Sequence, residues 1–180
     1  MRVVIDACVL YPTVMREVVL GVARQGHFRP LWSERILEEW ARAARKLGVQ
    51  GEAQARAEIA MLRAAWPEAE CPPAPGVEAR LWLPDPADLH VLAVAVAASA
   101  DAIMTLNAKD FPKNILAEEG LQRVDPDSFL MGIFASDPGD VAAVGEAVLE
   151  QANRLSGETW EMRVLLKKAR LPRLAKALGR

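Results

Sequence analysis

Arg2-Val-Val-Ile-Asp-Ala-Cys-Val-Leu-Tyr-Pro12 decides the fold class. Arg2 to Ile5 reads as a short buried strand ending at Asp6, and Pro12 then opens a helix carrying Val14, Met15, Val18, Val19 and Val22 at helical spacing to a stop near Gly26. Working outward, residues 30–32 are too short to assign. Ser33 is a good N-cap for a helix presenting Ile36, Leu37, Trp40, Ala44 and Leu47, with Gly48 just past its end. An alanine-rich helix follows at about 52–66. Residues 67–76 are proline-rich and break the pattern, and 77–83 reads as a strand or an irregular edge. Asp88 is placed to cap an apolar helix to about Ala100, before a buried strand at 102–106, a short helix near 115–119 and a strand at 122–124. Strands alternating with helices predict an α/β domain with a mostly parallel sheet.

From Ser128 the pattern is helical only, with breaks at Asp137-Pro138, Ser156-Gly157 and Pro172. The expected division is therefore a domain over 1–127 and a helical extension over 128–180. About 50 residues are too few to be secure alone, so the extension should pack on the main domain or on a partner.

A chain of 180 residues excludes two large domains, and 52% apolar with 26% charged residues excludes a disordered or collagen-like chain. No basic leader precedes the first strand, and no apolar run approaches a membrane span, so the expectation is a soluble, cytoplasmic protein. Cys8 and Cys71 lack the spacing of a metal knuckle or a redox pair and read as packing residues. Of the 22 basic residues, seven lie in 162–180 without one acid, which leaves 15 against 24 acids in 1–161. Such a tail suits phosphates or an acidic partner, or is simply a solvated helix face.

Ligands of a parallel sheet bind at the carboxyl ends of its strands. Asp6 follows the first strand, Thr105 and Asn107 end the 102–106 strand, Asp110 lies in the turn behind them, and Asp85 and Asp88 open the preceding helix. An acid inside the run from Val3 to Leu10 is near-buried and needs a partner or a metal ion. Helical phase puts Glu39 nearer the apolar border than Glu38, which favours Glu39. Two histidines, His27 and His90, are too few for a three-His zinc site, and clustered carboxylates select Mg²⁺ or Mn²⁺. Arg16 and Arg42 could hold phosphates at the rim or be solvated helix arginines. His90 reads as a surface or packing residue, and the five tryptophans as core. The Gly-rich phosphate loops are absent, which disfavours an ATPase. A phosphatase with Asp6 as nucleophile would normally carry a second acid where Cys8 stands.

Taken together, Asp6, the acids of Ser33-Glu-Arg-Ile-Leu-Glu-Glu-Trp40, Asp85-Pro-Ala-Asp-Leu-His-Val-Leu-Ala93 and Thr105-Leu-Asn-Ala-Lys-Asp-Phe-Pro112 resemble, in this order, the PIN-domain ribonucleases, which include VapC-type toxins. Residues 6–12 and the Glu-Glu-Trp40 step resemble a subgroup with a helical C-terminal extension. The resemblance implies a three-layer α/β/α nuclease that uses Mg²⁺ or Mn²⁺ to cut RNA, leaving 5′-phosphate and 3′-hydroxyl ends. It places Asp6, Glu39, Asp88 and Asp110 as metal-binding and catalytic acids, with Thr105 and Asn107 on the same edge and Arg16 and Arg42 as substrate-holding residues. Asn107 stands where many relatives have Asp, so the fourth acidic place falls to Asn107 or Asp110, and Asp85 could substitute for Asp88. A homodimer and a small antitoxin are the implied partners. The competing reading is a catalytically silent binding or scaffold module of the same fold.

Overall fold

The computed structural model describes residues 1–179. Its sheet has five strands, β1 (Arg2–Ile5), β2 (Arg29–Ser33), β3 (Glu70–Cys71), β4 (Ala102–Met104) and β5 (Gln122–Val124), in the order β3-β2-β1-β4-β5. β1 pairs in parallel with β2 on one side and β4 on the other: Val4 stands opposite Leu31 and Ile103. Val3, Val4 and Ile5 are fully buried, as a strand inside a parallel sheet must be. The chain moves outward from β1 to β3 on one side and from β4 to β5 on the other. The order thus reverses between β1 and β4, and their carboxyl ends diverge at that point.

The helices are α1 (Ala7–Leu10), α2 (Thr13–Arg24), α3 (Glu34–Ala43), α4 (Val49–Ala65), α5 (Pro75–Glu78), α6 (Leu89–Ala97), α7 (Lys113–Glu118), α8 (Pro126–Ser136), α9 (Pro138–Ser156), α10 (Met162–Lys168) and α11 (Pro172–Leu178). This is the α/β/α class with C-terminal helices that the sequence predicts. The Ser33 hydroxyl caps α3 by accepting from the Ile36 amide at 3.2 Å, and Ile36, Leu37, Trp40 and Ala41 form its buried stripe. α6 is buried continuously from His90 to Ala95, which its almost wholly apolar sequence requires.

Two local expectations change, and the alternative left open at 77–83 is settled. Residues 77–83 form no strand; a single turn, α5, begins the segment and the rest is irregular. A two-residue strand, β3, sits inside the proline-rich stretch instead, pairing Trp32 with Glu70. Asp88 makes no capping bond, because Asp85 takes that part: its Oδ1 accepts from the Ala87 amide at 2.9 Å and starts a 3₁₀ turn over Pro86–Asp88.

The chain forms two compact units that are not consecutive in sequence, residues 1–11 with 29–123 and residues 12–28 with 124–180. The first holds the four strands β1 to β4 and the helices α1 and α3 to α7. In the second, α2 packs on α8, α9 and α10. Gly21 of α2 makes the close approach possible, since a Cβ there would lie 2.5 Å from Val144 Cγ1. Phe28 meets Phe129 edge to face at 5.1 Å, and His27 Nε2 lies 2.9 Å from Asp140. The buried Asp127 carboxylate accepts from the Arg173 and Leu174 amides at 2.9 and 3.0 Å, satisfying the orphan donors at the start of α11. Among the described residues no helix is long and apolar enough to cross a membrane.

Candidate metal centre

Asp6 ends β1 and caps α1. Its backbone N–H donates to the Met104 carbonyl at 3.0 Å, extending the pairing with β4 by one residue. Only 7% of Asp6 is exposed, and three donors meet its carboxylate: the Ala7 amide on Oδ1 at 2.8 Å, and the Thr105 hydroxyl at 2.7 Å and the Cys8 thiol at 3.3 Å on Oδ2. Burial, and after it the Asp6 charge, pushes the Cys8 thiol up to about 12, so it stays a donor rather than a thiolate. Cys8 is therefore more than a packing residue, as it orients the acid two positions before it. The Asn107 amide donates to Thr105 Oγ1 at 3.0 Å, and Asn107 Nδ2 donates to Asp110 Oδ2 at 2.7 Å. Thr105 and Asn107 thus hold the acids Asp6 and Asp110.

The turn that Asp85 caps places Asp88 beside it, and one oxygen from each of Asp85, Asp88 and Asp110 lies within 4.8 Å of the others. Desolvation, followed by the charges of Asp6, Asp85, Asp110 and Glu39, raises the Asp88 carboxyl to about 6. All four charges acting on it are negative. The oxygens grouped this closely are those of Asp85, Asp88 and Asp110, while Asp6 and Glu39 stand outside the group and act on Asp88 through their charge.

Helical phase does not separate Glu39 from Glu38 by exposure as expected, since the two side chains are 36% and 34% exposed; they differ in their partners. Glu39 acts on Asp88 and meets His90 Nε2 at 2.6 Å. Glu38 pairs with arginines instead, and hydrogen bonds from Arg56 and then Arg42 hold its carboxyl down at about 2. Arg42 is thus an exposed arginine paired with Glu38 at 3.3 Å. Arg16 belongs to the second unit and is buried, its Nε 3.8 Å from Glu17, so it is not a solvated helix arginine. Trp32 and Trp40 are core residues, whereas Trp82 is 65% exposed and departs from the expectation for the set. His90, read from sequence as surface or packing, is buried and bonded to Glu39. The signal for it was present: one polar side chain in the apolar run Leu89 to Ala97 must find a partner when the helix is buried all round.

A family model for the PIN domain matches residues 2–109. The chain belongs to the PIN-domain family. Neither the curated proteins nor the solved structures give a match. PIN domains are generally nucleases that use divalent metals, and the matched PIN segment contains Asp6, Glu39, Asp85 and Asp88, ending one residue before Asp110. The residues of this PIN domain fit such an ion. The donor set is entirely carboxylate, which suits a hard cation, and the three grouped oxygens are close enough to share one. A cation among them would also relieve the repulsion that adds to burial in raising Asp88.

Proposed function

We propose that this PIN domain is a metal-dependent endoribonuclease and the toxin of a type II toxin–antitoxin pair, acting in the cytoplasm as a homodimer. The observation that carries the nuclease reading is the group of carboxylate oxygens of Asp85, Asp88 and Asp110 within 4.8 Å of one another, with the charges of Asp6 and Glu39 also acting on Asp88. A cluster so arranged gains from a divalent cation and gives an RNA phosphodiester, which needs its charge offset, a place to bind. Asp6, Glu39, Asp88 and Asp110 would hold Mg²⁺ or Mn²⁺, with Asp85 beside them; when bound, such an ion lowers the pKa of water and offsets phosphate charge. Thr105, Cys8 and the Ala7 amide fix the direction of the Asp6 oxygens, and Asn107 does so for Asp110. Water attack in line with the leaving oxygen leaves 5′-phosphate and 3′-hydroxyl ends.

The toxin assignment, with its small antitoxin covering the acidic edge, is supported by the resemblance of residues 6–12 and 38–40 to the toxin subgroup. The exposed basic side chains of α10 and α11 offer either RNA or that partner a complementary surface. The test is Mn²⁺ calorimetry on wild type and Asp6→Asn, then incubation of both with a mixed single-stranded RNA pool. Binding and cleavage should both be lost in the variant, and production of the wild type but not of Asp6→Asn should arrest growth. An Asp6→Asn protein that cleaves at the wild-type rate overturns the site assignment; wild-type cleavage without growth arrest overturns the toxin reading alone.

A further inference from the structure

We infer that His90 is a positioning residue for the metal centre: its imidazole fixes the direction in which the Glu39 carboxylate faces the other acids. This rests on the reading of Glu39 as a metal ligand. His90 Nε2 lies 2.6 Å from Glu39 Oε1, within hydrogen-bond reach of this carboxylate. The two side chains differ sharply in exposure, 5% for His90 and 36% for Glu39. A glutamate that open has rotamer freedom to spare, and the bond ties it to a ring locked inside the core.

The other ring nitrogen settles which way the proton points. His90 Nδ1 is buried without a hydrogen-bond partner. A proton on Nδ1 would be a donor stranded in apolar surroundings, whereas a bare Nδ1 lone pair costs less, so the N–H sits on Nε2 and donates to Glu39. For packing alone, leucine would fill this place in α6 with no orphan nitrogen. A polar ring that leaves one nitrogen unsatisfied is explained by what the other nitrogen does, which is to hold Oε1 of Glu39, the acid whose charge acts on Asp88.

The experiment is Mn²⁺ calorimetry on His90→Leu and His90→Gln, each in the wild-type and the Glu39→Gln background, with melting midpoints recorded alongside. Removing such an outer partner should weaken Mn²⁺ binding about tenfold or more in His90→Leu. Gln keeps an N–H at the end of a side chain of similar reach, so His90→Gln should bind within about threefold of wild type. With Glu39→Gln in place, His90→Leu should change binding by less than about threefold, the mark of two residues acting as a unit. A residue that merely fills space would lower the melting midpoint in both backgrounds and would not be rescued by Gln. The inference is overturned if His90→Leu binds Mn²⁺ as the wild type does, if Gln is as weak as Leu, or if the loss is as large beside Glu39→Gln. A wild type that takes up no Mn²⁺ overturns the metal reading and this inference together, while one that binds Mn²⁺ indifferently to His90 overturns this inference alone.

Discussion

Neighbours set the proton affinity of a carboxylate, and Glu38 and Asp88 lie at opposite ends of that range in one molecule. Asp88 carries the sharper consequence. Its folded value of about 6 exceeds the ordinary 3.8, so between these values the folded state binds more protons than the unfolded one. Stability of the metal-free protein therefore falls as pH rises through that window and stays low above it. In melts with a chelator, Asp88→Asn should remove this part of the slope and raise the midpoint at neutral pH by about 2–4 °C, as about 1 kcal/mol does in a chain of this size once solvent screening is allowed for. At pH 4 the variant and the wild type should melt together. The residues that ionise in apolar surroundings were the legible ones: Asp6 stands out in its run because a charge there must be used. Asp85 and Asp88 look equivalent in sequence, since either can cap a helix. Only the 3₁₀ turn, which spends Asp85 on the cap and frees Asp88, distinguishes them.

At the scale of elements, the two glycines Gly21 and Gly132 sit in helices of the same unit and should respond to alanine in opposite directions. Helix propensity favours alanine at both by about 0.5–1 kcal/mol. At Gly132 nothing lies within 4 Å of the added methyl, so Gly132→Ala should raise the midpoint by a few degrees. At Gly21 the methyl would press on Val144, a β-branched residue with little freedom to turn aside, and overpacking of about 1–3 kcal/mol should prevail. Thermal melts of the two single variants decide it. Periodic segments were legible for the same reason that these effects are local: α2, α3 and α4 each carry enough turns to show a face, and α6 is legible from its unbroken apolar run. β3 has two residues and α1 and α5 four each, too few for any period to register, and they are held by neighbours distant in sequence or by a single cap.

Across the whole molecule, the boundary expected at residue 127 follows the change of pattern along the chain, whereas the compact units follow contact. The pairing of α2 with α8, α9 and α10 leaves no local trace, because the stripe of Val18, Val19 and Val22 looks the same whichever helix it meets. A protein ending at residue 127 would keep that stripe and lose α9 and α10. It should therefore aggregate or melt without a cooperative transition, as circular dichroism and light scattering would show, and a soluble, cooperatively melting fragment would make the linear boundary the correct one.

The same interleaving sets a clock on the newborn chain. α2 leaves the ribosome well before the helices that cover it in its own unit, which are made about a hundred residues later, a delay of about 5–20 s at ordinary rates of synthesis. For that interval the valine stripe lacks the helices of its own unit, and an apolar face stays open to wrong partners.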